Sequence, residues 1–83
     1  TRYGTVTGVQ TCALPISIES LREAEASDEA LLGHLLLVAA KVAQQVGLTD
    51  WRTVINTGAG AGQTVFHLHV HVIGGRSLAW PPG

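Results

Sequence analysis

Three histidines stand at alternate positions in the segment His67-Leu68-His69-Val70-His71-Val72-Ile73. Alternate side chains of an extended strand share a face, so His67, His69 and His71 would project together, about 6.6–7 Å apart along the chain. Phe66, Leu68, Val70 and Val72 would point the other way, toward a core. Three explanations compete. A half-exposed strand with histidine at its outer positions is the simplest, but it suits one histidine better than three. A metal site is the second. His-x-His on a strand supplies two ligands, and neutral imidazole suits zinc, copper or nickel. The flanks of this strand, however, offer no Asp, Glu or Cys as a further ligand. Phosphoryl-group chemistry is the third. Imidazole is nucleophilic near neutral pH because its unperturbed pKa is ~6.5. A neighbouring histidine can stabilise phosphoryl oxygens or move protons.

The loop before the histidines bears on this choice. Residues 57–63 read TGAGAGQ. Gly58, Gly60 and Gly62 make a turn whose amides can approach an anion closely. Asn56 on one side and Gln63 and Thr64 on the other add uncharged hydrogen-bonding groups. A strand follows the loop rather than a helix, so it is not a dinucleotide fingerprint. It has no Gly-Lys-Ser/Thr, so it is not a P-loop. Alone it reads equally as a plain hairpin turn. Because it opens onto the histidine strand, it favours the phosphoryl reading.

Other elements must position these groups. Residues 27–48 read as one helix, with Ser27 as N-cap. Asp28 and Glu29 follow in the first turn, where negative charge suits the helix dipole. Gly47 is the expected stop. Leu31, Leu35, Val38, Val42 and Val46 recur at helical spacing and define one apolar face. Leu32, Leu36, Leu37, Ala39 and Ala40 carry the apolar surface further round. A helix apolar on most sides needs covering on most sides. One face can lie on a sheet, and the other then suits a second subunit. Strands are expected at Trp51–Asn56 and Thr64–Ile73. Short strands at Tyr3–Thr7 and Thr11–Leu14 are weaker expectations, and Pro81 and Pro82 keep the end of the chain out of a helix.

Composition narrows the class. The chain has 83 residues, 46% hydrophobic and 13% charged, with a net charge of −1. It suits one small domain and is too apolar for a disordered chain. No basic stripe exists, so a DNA or RNA polymer is not an expected partner. The single cysteine, Cys12, excludes an internal disulfide and a cysteine zinc site. The longest apolar run, Leu35 to Ala40, is far short of the ~20 residues that span a bilayer. The N-terminal residues lack a signal-peptide core. A soluble cytoplasmic protein without membrane contact is expected.

Together these residues resemble the histidine triad (HIT) superfamily, whose motif alternates three histidines with apolar residues and ends on two apolar positions. Residues 67–73 match it throughout. Leu31-Leu32-Gly33-His34-Leu35, Asn56 with Gly62-Gln63-Thr64, Gly74-Gly75-Arg76 and Trp80-Pro81-Pro82-Gly83 resemble the nucleotide-binding (Hint) branch. The resemblance covers residues 17–83. It implies an α+β fold, a mainly antiparallel sheet packed with one long helix, with the N-terminal strands missing or replaced. Residues 1–16 are expected to lie outside the family, and VTGVQTCALPI within them resembles translated sequencing-adapter sequence. The loop histidine that relatives place beside the triad falls at Ser17.

The resemblance also implies a hydrolase of nucleoside phosphoramidates that binds purine nucleotides and needs no metal or cofactor. His69 would attack the α-phosphorus to give a nucleotidyl-histidine, which water then cleaves. His71 would contact the phosphate and assist proton transfer, and His67 would orient the set. Thr64, where relatives usually have Ser, would bond the phosphate or leaving group. Asn56, Gly62 and Gln63 would hold the phosphate, and Trp80 would lie near the leaving group. His34 reads as a packed helix residue. The expected partners are a purine nucleoside monophosphate or its phosphoramidate, and a second copy of the chain meeting through helix 28–46 and the C-terminus. A non-catalytic nucleotide-binding module, an inactive fragment and a metal-binding strand are the competing readings.

Overall fold

The computed structural model describes residues 18–83. Helix α1 spans Glu29–Gln45. It starts two residues after the expected N-cap, because Ser27 is taken into a separate 3-10 turn, Ala26–Asp28. Asp28 closes that turn, accepting the Glu25 N–H on Oδ2 at 2.9 Å. The far end follows expectation. Gly47 has φ +87°. Its N–H donates to the Gln44 carbonyl at 3.0 Å, and the Leu48 N–H donates to the Ala43 carbonyl at 3.0 Å. This paired arrangement satisfies two carbonyls that the helix leaves open.

Strand β1 spans Trp51–Val54 and strand β2 spans His71–Gly74. They pair antiparallel, with Trp51 opposite Gly74 and Val54 opposite His71. The chain is therefore α+β. Both strands are shorter than expected. The partner decides this: β1 offers four residues before the chain leaves for the glycine loop, so the ladder ends at His71. Upstream, the Leu68 N–H turns to the Ile18 carbonyl at 2.8 Å, and the His67 N–H to the Val65 carbonyl at 2.9 Å. The expected strand Thr64–Ile73 is thus replaced over residues 64–70 by an irregular segment outside the β1–β2 ladder, bent at residues 65–67. The strands expected at Tyr3–Thr7 and Thr11–Leu14 lie outside the described residues.

The core sits between α1 and β2. Ala39, Ala43 and Val72 are buried, with Leu48, Trp51 and Val70 packed against them. The helix was expected to present the Leu31–Val46 stripe, but Ala39 and Ala43 are its most deeply buried positions. Small side chains let the helix axis come close to β2, and the larger residues beside them are only half-covered. Val46 is exposed, as are Leu36 and Leu37. Phe66 also departs from expectation: it is 58% exposed, whereas Leu68 and Val72 are buried. The alternation that would bury Phe66 fails because the chain bends at residues 65–67. Close approach also fixes Gly74. A Cβ there would stand 2.7 Å from Leu48 Cδ1 and 3.2 Å from the Asp50 carbonyl.

Candidate active site

The glycine loop is a small built structure. A 3-10 turn, Ala59–Ala61, is flanked by Gly58 at φ +88° and Gly62 at φ +97°. Both angles lie where a Cβ is disfavoured. The Gly58 carbonyl accepts from the Ala61 and Gln63 amides, each at 3.1 Å. The Gln63 side chain then closes the loop. Its Oε1 accepts the Gly58 N–H at 2.8 Å, and its Nε2 donates to the Glu19 carbonyl at 2.6 Å and the Val65 carbonyl at 3.2 Å. Gln63 is buried. Both of its amide hydrogens are committed to the protein, so it positions the loop instead of donating to a ligand.

The three imidazoles form a row. The rings of His67 and His69 are 5.5 Å apart, edge to face, and those of His69 and His71 are 6.1 Å apart at 18°. All three are half-buried. Nδ1 of His69 forms a short hydrogen bond with the carbonyl oxygen of His67. A carbonyl can only accept, so Nδ1 must carry the proton. In the neutral ring the lone pair is then on Nε2. The backbone of the first histidine thus sets the tautomer of the second. Among the described residues, no group of three His, Cys, Asp or Glu is arranged to hold a metal ion.

A cavity of about 170 Å³ lies between this row and the loop. His67, His69 and His71 line it from one side; Asn56, Gly62, Gln63 and Thr64 line it from the other. Seven of the eight residues expected at the site therefore meet in one place, although Asn56 and His71 are fifteen positions apart. Val65 also lines the cavity. Sequence reasoning missed it, because an apolar residue in a strand-like stretch carries no signal of its own. Among the described residues no Asp, Glu, Lys or Arg lines the cavity. Trp80 is the exception: it is 82% exposed and does not line the cavity. The segment before it is pinned elsewhere, Arg52 Nη2 donating to the Ala79 carbonyl at 2.9 Å. His34 was expected to be packed, yet it is exposed. A second, open cleft of about 610 Å³ lies at the other end of the β1–β2 pair and holds none of the expected site residues.

The family model that matches the chain is the HIT domain, over residues 7–78. The chain belongs to the HIT domain family. An uncharacterized HIT-like protein of Synechococcus elongatus is 64% identical over 67 residues, which cover 80% of this chain and 59% of the relative. An uncharacterized HIT-like protein of Synechocystis is 57% identical over the same shares. Among solved structures, a HIT family hydrolase from Legionella pneumophila superposes with a TM-score of 0.76 at 41% identity, covering 80% of this chain and 61% of that one. The chain thus spans about three fifths of the length of these relatives. The matched range includes the histidine row, and a hydrolase is the activity named for the solved neighbour. No helix among the described residues is long and apolar enough to cross a membrane.

Proposed function

We propose that this HIT-domain chain is a Hint-type nucleoside phosphoramidase acting through a nucleotidyl-histidine. The observation that carries the proposal is the His69 ring: the His67 carbonyl holds Nδ1–H, which leaves the lone pair on Nε2, and His69 lines the small cavity. In the first step Nε2 of His69 bonds to the α-phosphorus and the phosphorus–nitrogen bond breaks. The departing amine takes a proton from His71. The His69 ring gains positive charge as it is phosphorylated, and the His67 carbonyl, already on Nδ1–H, stabilises that charge. In the second step water attacks the phosphorus and gives its proton to His71, releasing the nucleoside monophosphate and free His69. Splitting one displacement into two is what a covalent intermediate achieves. Asn56, Thr64 and the Gly62 backbone, which line the same cavity, would hold phosphoryl oxygens. Gly74-Gly75-Arg76 and the Trp80-Pro81-Pro82-Gly83 ending support the Hint branch.

The functional unit is a homodimer through α1. Leu36 is 50% exposed and Leu37 70%, and a Cβ at Gly33 would meet nothing within 4 Å, so this flank is open and apolar. The decisive experiment follows release of AMP from adenosine 5′-phosphoramidate by the chain and by His69→Ala. The substitution is expected to lower kcat/KM by roughly a thousandfold. Equal rates would remove His69 as the nucleophile. AMP should also raise the unfolding midpoint, as a ligand of the folded state must.

A further inference from the structure

Among the described residues, Val65 is the one aliphatic side chain that lines the histidine cavity. The other lining residues carry polar side chains or, at Gly62, none. Val65 is also 56% exposed, so much of its apolar surface is left uncovered in the folded chain. Its position is nonetheless fixed. The Val65 carbonyl accepts the His67 N–H at 2.9 Å and Gln63 Nε2 at 3.2 Å. These two bonds tie Val65 to the first histidine of the row and to the amide that closes the loop. The side chain is branched at Cβ, which restricts its rotamers. The cavity therefore has one stiff apolar wall, more than half of it open.

The volume bears on what meets that wall. At about 170 Å³ the cavity is smaller than the roughly 300–1,000 Å³ of pockets that enclose a whole drug-sized ligand. A nucleotide does not fit inside it whole. There is room for the phosphoryl group and a small substituent on it, and in a nucleoside phosphoramidate the smaller substituent is the departing amine. We propose that Val65 is a specificity-determining residue whose side chain packs on the alkyl part of that amine, so that phosphoramidates of small alkylamines are favoured over those of amines with a polar end. The assignment rests on the phosphoramidase reading above. Covering Val65 with an alkyl chain removes apolar surface of both from water. A hydroxyl set against it gives up water and receives no hydrogen bond from the valine.

The test compares two adenosine 5′-phosphoramidates whose amines are equal in length, propylamine and ethanolamine. The ratio of their kcat/KM values is measured for the wild type, Val65→Thr and Val65→Ala. Comparing that ratio between proteins cancels the intrinsic difference between the two amines. Val65→Thr keeps nearly the same shape and sets a hydroxyl on the wall. It should lower the propylamine-to-ethanolamine ratio about three- to tenfold, less than a methylene is worth in a closed pocket, because Val65 is half open. Val65→Ala removes the wall and should lower the ratio as well. An unchanged ratio in both variants overturns the proposal, as does an equal loss on both compounds. So does a change that follows the nucleoside, read from the propylamides of adenosine and uridine, while the amine ratio stays put. If the wild type cleaves neither compound, calorimetry with the wild type and Val65→Thr separates the two readings. Tighter binding of the propylamide that is lost in Val65→Thr removes the phosphoramidase reading and keeps the valine contact. Equal binding of the pair, or none, removes both.

Discussion

Gln63→Leu should loosen the loop and the site together. The side chain is buried and makes three hydrogen bonds, to Gly58, Glu19 and Val65. Leucine keeps most of the volume and removes every bond. Each such bond is worth about 0.5–1.5 kcal/mol net, and a buried partner left unpaired costs more. Glu19 and Val65 are exposed residues, so their carbonyls regain water; the half-buried Gly58 N–H regains it less readily. The extra apolar burial of leucine offsets part of the loss. The net cost is about 1.5–3 kcal/mol, a large share of the stability of a small domain. For 83 residues that corresponds to a Tm lowered by roughly 6–24 °C. Gln63→Glu is the matched control. It keeps an acceptor for the Gly58 N–H but turns a carboxylate toward two carbonyls, so at pH 7 it should be at least as damaging. Thermal unfolding followed by circular dichroism gives both numbers, and AMP affinity by calorimetry should fall in parallel. A Gln63→Leu midpoint within 2 °C of the wild type would refute the claim that this amide closes the loop.

Two further substitutions probe the frame around the site. Gly74→Ala sets a Cβ against Leu48 and the Asp50 carbonyl and should cost about 1–3 kcal/mol by urea titration, because the carbonyl cannot swing away as a side chain can. Adding Leu48→Ala should relieve only the side-chain part of the clash, and a fully neutral Gly74→Ala would mean the close approach does not exist. Leu37→Glu changes a residue that is 70% exposed, so monomer stability should move by less than about 0.5 kcal/mol. Sedimentation should nevertheless shift from dimer to monomer at micromolar concentration. A wild type that already sediments as a monomer sinks the proposed α1 interface.

Local signals were legible where local physics decides. Gly47 ends the helix as expected, since only a residue that accepts positive φ can complete that pair of hydrogen bonds. The helix start was less legible, because Ser27 and Asp28 both suit a cap and a 3-10 turn before α1 used them differently. Leu68 and Val72 were placed correctly in the core, but Phe66 was not. Period-2 alternation assigns faces only while the backbone stays extended, and the chain bends at residues 65–67.

For the site, residue type and spacing were enough to single out His67, His69 and His71 and the loop from Asn56 to Thr64, which meet at one cavity. Those properties belong to short stretches of chain, and the alternate histidines share one side even where no strand is formed. Tertiary structure decided the rest. It set the His69 tautomer through a backbone carbonyl and spent the Gln63 amide on a loop closure reaching back to Glu19. It left Trp80 outside the cavity and laid Arg22 on Gly58, thirty-six residues away in sequence. Each of these depends on which backbone groups lie opposite a side chain once the elements have packed, and no local pattern encodes that.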